Sequence, residues 1–408
     1  MRSFLAKRFE FAAPGRIIFG LGSIAEAGAA ALSLASERGR EADFGSKPRL
    51  LRKPRLLLVS GGNEDRLAPL IASLDAAGIE RVSFHIHREP RFEDARAALD
   101  LARGSDCNIV LGFGGGSSID LAKAVAVLLA NPGDPLDYAE VIGGGKALAH
   151  PSFPCIAVPT TAGTGSEATR NAVLASSEKG VKVSLRSSSM LPRLALVDPE
   201  LAYGLPPRIT AETGMDALTQ LIEPLVCSSP NPLVDALCRE ALPLVASALL
   251  RAYRNGADAE ARSDMAYASL SGGLALTNAK LGAVHGIAGP LGGAFSIPHG
   301  AACAALLAPT CEANVAALRS RSPESPVLAR YAELAALIGG SPSMRAEDLA
   351  PALRELSSRL EIRPLRSFGI SESAFPSLAA KAAASSSMKG NPITLLPEEL
   401  EAILKKAT

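Results

Sequence analysis

Short apolar segments alternate with helix-like segments through the first half of the chain, and this alternation limits the possible folds more than any other feature. The apolar segments have the length of buried strands, and amphipathic stretches such as 64–77 and 93–103 lie between them. Strands joined through helices pair in parallel, and helices then cover both faces of the sheet. A parallel α/β domain is therefore predicted. The predicted strands lie at 16–20, 55–60, 81–86, 108–113 and 155–159.

The second half of the chain has long Ala- and Leu-rich segments broken by Gly, Pro and Ser, which predicts a mostly helical domain. We therefore expect a Rossmann-like α/β domain over 1–200 and an all-α domain over 201–408. The charged segment 36–54 has little periodicity and is interpreted as a surface insertion.

Composition excludes several classes of protein. The 408 residues suffice for two domains with full cores, and the net charge of +1, with no basic stripe, argues against a nucleic-acid partner. The six cysteines form no CxxC pair, so we interpret them as reduced thiols of a cytoplasmic protein. We see no apolar run of signal-peptide or membrane-span length, and expect no membrane partner.

A strand, a glycine triplet and a helix follow one another in NIVLGFGGGSSIDLAKAV, as in phosphate-binding loops. Glycines let the backbone approach a pyrophosphate, and the N-terminus of the helix offers free N–H groups and a favourable dipole. A plain tight turn is the alternative reading, but the flanking strand and helix favour a nucleotide. The residues predicted to bind the cofactor here are Gly114, Gly115, Gly116, Ser117, Ser118 and Asp120.

A second loop, rich in hydroxyl groups, follows the strand at 155–159, and a third loop follows the strand at 55–60. An acidic residue at the end of the third loop's strand would bind a ribose 2′-hydroxyl and repel a 2′-phosphate. Glycine stands there instead, which favours NADP(H) over NAD(H) with Arg66 as the phosphate partner, although Glu64 and Asp65 argue the other way. The predicted contacts are Thr160, Thr161, Thr164 and Ser166 in the second loop and Gly61, Gly62 and Asn63 in the third.

A sparse set of metal-ligand side chains lies in the helical half. Asp216 and Gln220 are four residues apart and share one helix face. Two of the five histidines, His285 and His299, follow in a glycine-rich apolar stretch. A carboxylate and two imidazoles suit Zn²⁺ or Fe²⁺ with a position open for substrate. Gln220 ligates only through its carbonyl oxygen, so we predict a catalytic metal that is weakly held.

The segments GGGSSID, PTTAGTGSE, LVDPEL, TGMDAL and PHG together resemble the iron-containing (group III) alcohol dehydrogenases, which share their fold with glycerol dehydrogenase and dehydroquinate synthase. The resemblance covers nearly the whole chain apart from 36–54. It implies NAD(P) with Lys182 nearby, and a divalent metal on Asp216, His285 and His299 in a cleft between the domains. The implied reaction is reversible hydride transfer between the cofactor and a small alcohol and its carbonyl form. We expect a homodimer or a higher homo-oligomer.

Two positions depart from the family pattern. Gln220 stands where a ligand histidine is usual, and Gly289 stands where the family often has a histidine near the substrate and the proton path. These departures leave open a maleylacetate-type reductase, which acts on a keto acid with weak or no metal. Arg170 and Arg186 would then be candidates for the substrate carboxylate.

An alternative from another class is a cyclase or lyase of the dehydroquinate synthase type. Such an enzyme needs several basic residues for a phosphate in the helical half, and Lys280 is the one basic residue in 275–300. A non-enzymatic relative with a decayed site is disfavoured by the intact cofactor loops.

Overall fold

The computed structural model describes residues 8–41, 54–61, 64–140, 142–178, 181–295 and 297–408. Within these ranges the first half forms a six-stranded sheet and a separate two-stranded hairpin. The strands are β1 (Ile17–Phe19), β2 (Arg55–Ser60), β3 (Glu80–His85), β4 (Ile109–Gly114), β5 (Cys155–Pro159), β6 (Asn171–Ser176), β7 (Val181–Arg186) and β8 (Leu194–Val197).

Four helices accompany the sheet, and the described part of the chain after residue 206 is helical with connecting turns. The helices of the first half are α1 (Ala27–Glu41), α2 (Ala68–Ala76), α3 (Phe92–Gly104) and α4 (Gly116–Ala130). Those of the second half are α5 (Pro207–Val226), α6 (Pro232–Arg254), α7 (Ala259–Asn278), α8 (Ala283–Phe295), α9 (His299–Arg321), α10 (Val327–Gly339), α11 (Leu349–Arg359), α12 (Phe375–Ala383) and α13 (Pro397–Ala407).

The large sheet is parallel throughout, in the order β1-β8-β5-β4-β2-β3. Side chains alternate along β2, so Leu56 and Leu58 pack with α1 and α2, and Leu57 and Val59 pack with α3 and α4 on the opposite face. The neighbouring strands β2 and β4 therefore lead into helices on opposite faces. Their carboxyl ends form the kind of crevice in which open α/β sheets bind ligands.

The predicted fold class is confirmed, and each predicted strand overlaps an observed one. Helix α1 continues to Glu41, so residues 36–41 of the predicted insertion are helical, as the helix propensities of Glu and Arg allow. The rest of that segment, 42–53, lies outside the described residues. Strand β8 and the β6–β7 hairpin were not predicted. The boundary at 200 remains a prediction, and it falls between the end of β8 at Val197 and the start of α5 at Pro207.

One large apolar core holds the helical half together, with α5 at its centre. From Thr210 to Val226 nearly every residue of α5 is buried, including polar ones. Helix α9 has the length and mean hydropathy of a membrane span, but 78% of its apolar window is buried inside the fold. That burial is typical of a core helix.

The second loop of the sheet domain packs directly on the helical half through glycines. Gly165 has a φ of +57°, and a Cβ on Gly273 of α7 would lie 2.2 Å from the Gly165 carbonyl oxygen. One turn further along α7, Thr277 Oγ1 donates to the Ala168 carbonyl oxygen over 2.8 Å. The contact is backbone against backbone, so neither partner can move aside cheaply.

Substituting Gly273→Ala is expected to destabilise the protein, although alanine is the better helix former. Overpacking a close contact costs roughly 1–3 kcal/mol, which exceeds the helix-propensity gain of about 1 kcal/mol. Urea or thermal unfolding measures the effect. The control is Gly104→Ala at the end of α3, where a Cβ meets nothing within 4 Å. Equal stability of the two variants would contradict the close contact.

Candidate active site

The glycine loop lies at the carboxyl end of β4, and α4 begins within it at Gly116. Gly114 has a φ of +146°, which residues other than glycine rarely adopt. A Cβ on Gly114 would lie 2.6 Å from Ser118 Oγ, and one on Gly116 would lie 2.9 Å from Thr164 Cγ2. Positions 114 and 116 therefore have no room for side chains, and the first N–H groups of α4 are available to an anion.

The hydroxyl-rich loop after β5 lies beside the glycine loop, as the parallel pairing of β4 and β5 requires. The Thr160 N–H donates to the Gly114 carbonyl oxygen over 2.9 Å. Thr160 and Ser166 are buried, whereas Thr161 and Thr164 are partly exposed. Thr161 and Thr164 are thus the predicted residues of this loop whose side chains can reach a ligand.

The end of β2 completes this edge of the sheet. A Cβ on Gly61 would lie 2.8 Å from Ser118 Oγ, so a side chain at this position would collide with the start of α4. Ser118 itself is 2% exposed, which leaves Ser117 as the more accessible of the two predicted serines. Gly62 and Asn63 lie outside the described residues.

Asp120 uses both carboxylate oxygens within the protein. Its Oδ1 accepts a short hydrogen bond from Ser166 Oγ, and its Oδ2 accepts from the Val173 N–H over 2.9 Å. The Lys123 ammonium, fully buried, lies 3.0 Å from Asp120 Oδ1 and donates to Thr169 Oγ1 over 2.8 Å. These contacts favour a role for Asp120 in positioning the second loop over the predicted contact with the cofactor.

Three predicted metal ligands from three helices meet at one point. Asp216 projects from α5, His285 from α8 and His299 from the first residue of α9. Asp216 Oδ1 lies 3.5 Å from His285 Nε2 and 3.7 Å from His299 Nε2. These separations are long for hydrogen bonds and suit atoms that share one cation. Asp216 is 1% exposed, whereas 40% of the His299 side chain is exposed.

Two buried oxygens beside these histidines lack partners among the described residues. They are Asp216 Oδ1 and Gln220 Oε1. The Gln220 side-chain amide donates to the Gly163 carbonyl oxygen over 3.3 Å, which fixes which end of the side chain is the free acceptor. Unpaired buried acceptors are costly, and a cation between Asp216 and the two histidines would satisfy Asp216 Oδ1. The donor set therefore fits a divalent metal ion.

Glu223, which the sequence analysis missed, orients His285 from behind. Its Oε2 lies 2.6 Å from His285 Nδ1, and its Oε1 accepts from the Val284 N–H over 2.7 Å. Ligand histidines are commonly fixed by a carboxylate in this way. Burial alone would lower the pKa of His285, but the Glu223 and Asp216 carboxylates outweigh burial and raise it to about 10.

Cys303, also missed, lies one turn after His299 on α9. Its sulfur is 3.6 Å from His299 Nε2 and is fully buried. Helical spacing could have found both missed residues, because Cys303 follows His299 by four positions and Glu223 follows Gln220 by three.

Lys182 of β7 lies over the face of α8 that carries His285. A Cβ on Gly292, seven residues after His285, would lie 2.7 Å from Lys182 Nζ, and that ammonium pairs with Glu89 at 2.5 Å. Between them, Gly289 has nothing within 4 Å of its Cβ position. The position where the family often has a histidine is therefore open space.

Comparison with known proteins shows that this chain is similar to enzymes of one family. Residues 14–199 match the family model described as iron-containing alcohol dehydrogenase, and residues 210–408 match the C-terminal model of the Fe-containing alcohol dehydrogenase family. The chain is 37% identical to alcohol dehydrogenase 4 of Saccharomyces cerevisiae over 319 residues, which cover 78% of this chain and 80% of that one.

Two solved structures are similar to this chain over nearly the whole length of both proteins. The crystal structure of a 1,3-propanediol oxidoreductase has a TM-score of 0.87 at 32% identity and covers 98% of this chain and 100% of its own. The sulfoacetaldehyde reductase of Bifidobacterium kashiwanohense, solved in complex with NAD⁺, has a TM-score of 0.83 at 29% identity and covers 98% of each chain.

Substituting Gly115→Val is expected to weaken binding of NADH and NADPH by more than about tenfold while the fold persists. A Cβ at Gly115 meets Thr161 Oγ1 at an ordinary 3.4 Å, and the extended backbone there suits valine. The added methyl groups would fill the space between the two loops. Fluorescence titration measures affinity and thermal unfolding measures stability. Gly104→Val, at the opposite edge of the sheet, is the control. Unchanged affinity in Gly115→Val would mean that the loop is only a turn.

Proposed function

Because this chain belongs to the iron-containing alcohol dehydrogenase family, it is a NAD(P)-dependent oxidoreductase of alcohols and aldehydes, and we propose that hydride transfer takes place between the glycine loop and Asp216. The observation that carries this proposal is the convergence of Asp216, His285 and His299 within 3.5–3.7 Å around an unpaired buried carboxylate oxygen. The second loop connects this point to the cofactor edge, because its Gly163 carbonyl oxygen accepts from Gln220.

We propose that the pyrophosphate binds at the start of α4, with Thr161 and Thr164 against the rest of the cofactor. NADP(H) is favoured over NAD(H), because Gly61 ends β2 without a carboxylate and has no room for one. Arg66 donates to the Tyr203 carbonyl oxygen over 3.5 Å, a long bond that a 2′-phosphate would readily replace.

Asp216, His285 and His299 would hold the divalent metal ion of this family, either Fe²⁺ or Zn²⁺, with Gln220 beside them. When bound, the ion supplies positive charge for the substrate oxygen, which becomes more negative as hydride reaches the carbonyl carbon. Glu223 fixes the His285 ring so that Nε2 faces the site. Gln220 offers a neutral oxygen in place of an imidazole, so metal affinity is expected to be low.

The substrate is proposed to be a small alcohol or aldehyde that approaches from the open space at Gly289. The related 1,3-propanediol oxidoreductase and sulfoacetaldehyde reductase act on compounds of this size. A keto-acid substrate has less support, because Arg186, one of the two candidate carboxylate partners, donates instead to Glu140 over 3.0 Å at the surface.

The purified enzyme is expected to oxidise NADPH, and less efficiently NADH, in the presence of small aldehydes. Removing the metal with a chelator, or substituting His285→Ala, should lower kcat/KM on the order of a hundredfold, since charge stabilisation by a metal is worth several kcal/mol. Steady-state assays paired with metal analysis measure both effects. His150→Ala, at an exposed histidine, is the control. Full activity without metal would instead support a metal-independent reductase.

We further propose a homodimer assembled through the sheet edge at β1. Among the strands that the structure describes, β1 pairs only with β8, and Ile17, Phe19 and Leu21 expose 37%, 39% and 53% of their surface. A bare edge strand with exposed apolar side chains is prone to pair with another chain. All six cysteines are free and buried, which supports a reducing, cytoplasmic location.

The variant Ile17→Glu is expected to lower the mass of the assembly in light scattering coupled to gel filtration, because a charge at the edge opposes pairing. Leu32→Glu on α1, where the side chain is 41% exposed, should leave the mass unchanged. A wild-type monomer, or an Ile17→Glu protein of wild-type mass, would contradict the edge-strand dimer.

A further inference from the structure

We propose that the Cys303 sulfur is the fourth protein ligand of the metal and that it directs the site toward Zn²⁺. This inference rests on the metal site proposed above. Asp216, His285, His299 and Cys303 each place one ligand atom within 4.8 Å of all the others. Asp216, His285 and His299 are three strong ligands, and Gln220 is a weak one. Cys303, on the same helix as His299, supplies a fourth strong ligand.

Three of the six separations among the four ligand atoms match a tetrahedron around one ion. Zinc binds oxygen and nitrogen at about 2.0–2.2 Å and sulfur at about 2.3 Å, so neighbouring ligand atoms in a tetrahedral site lie about 3.3–3.7 Å apart. These three separations fall in that range: 3.5 Å from Asp216 Oδ1 to His285 Nε2, 3.7 Å from Asp216 Oδ1 to His299 Nε2, and 3.6 Å from His299 Nε2 to the Cys303 sulfur.

Burial supports ligation independently of these distances. Asp216 Oδ1 is a carboxylate oxygen without a partner on a side chain that is 1% exposed, and it points into this cluster. Cys303 is fully buried, so its sulfur faces the cluster and not solvent. The position of His299 at the start of α9 places Cys303 one turn along the same helix face.

Ligation by Cys303 breaks the S–H bond, forms a metal–sulfur bond and releases one proton to solvent, with no change of oxidation state. Burial favours the protonated thiol in the metal-free protein, but a coordinating thiol is deprotonated outright by the cation. A thiolate among imidazoles in tetrahedral geometry is typical of zinc, whereas a set of two histidines and one carboxylate is typical of non-haem iron.

The test adds Co²⁺ alone to the chelator-treated full-length protein and records its absorption spectrum. We expect a sulfur-to-cobalt charge-transfer band in the near ultraviolet, which requires a thiolate ligand. Cys303→Ser should lose the band and bind Zn²⁺ at least about tenfold more weakly in a competition assay, because losing even an outer partner of a ligand costs 10–100-fold. Cys238→Ser, at a buried cysteine of α6, is the control and should keep the band.

A second background separates this proposal from the metal site itself. In Gln220→His, which supplies an imidazole, Cys303→Ser should weaken Zn²⁺ binding less than it does in the wild type. If Co²⁺ binds in a manner abolished by His285→Ala but without the band, Cys303 is not a ligand and the metal site stands. If Co²⁺ binds to neither wild type nor Gln220→His, the metal site fails along with this inference. The wild-type spectrum alone decides the question if Cys303→Ser does not fold.

Discussion

The active site depends on how closely the second loop of the sheet domain approaches α5 and α7. A Cβ on Gly163 would lie 2.6 Å from Thr213 Cβ on α5, and one on Gly165 would lie 2.5 Å from Gly273 Cα on α7. This loop also hydrogen-bonds the glycine loop through Thr160, so one segment touches the proposed cofactor edge and the helices that carry the proposed ligands. Hydride transfer needs two reactants at fixed separation. The close packing at these glycines would hold the cofactor edge and the ligand helices at a fixed separation.

Within the helical half, the buried carboxylate of Asp216 dominates the electrostatics. A carboxylate that is 1% exposed in an apolar core is stable only with compensating charge. Burial would raise the pKa of Asp216, but His299, His285 and Gln220 lower it overall, so it stays ionised. Glu223 adds a second buried carboxylate behind His285. Two carboxylates beside two imidazoles form a cluster whose charge a divalent cation would balance.

Much of the fold could be predicted from the sequence, because buried parallel strands have continuous apolar runs such as RLLLVS. Strand β8 escaped prediction because its four residues lie between Pro192 and Pro199, which are turn signals. The β6–β7 hairpin escaped because its stability comes from tertiary packing, with Leu174 and Leu185 buried in a core shared with α3 and α4. Of the site, the spacing of Asp216 and Gln220 predicted a shared helix face. Helical spacing could also have placed Glu223 and Cys303 on the same helix faces as Gln220 and His299. Their contacts with other helices depend on how three helices cross, which no local pattern encodes.

The proposed metal and the proton on His285 compete for the same nitrogen. A pKa of about 10 in the folded protein exceeds the usual value of 6.5, so the protonated ring stabilises the metal-free fold. That contribution is fully present below pH 6.5 and is lost as pH rises through about 10. A metal can bind only after this proton leaves, so affinity for the metal rises with pH over the same interval. Glu223 therefore has two opposing effects on metal binding. It orients His285 toward the metal, and it also raises the pKa of His285, which favours the competing proton. Burial, Asp216 and Glu223 likewise raise the pKa of the Cys303 thiol, so a metal held by both groups must displace a proton from each. An additional thiolate would matter most where Gln220 replaces an imidazole.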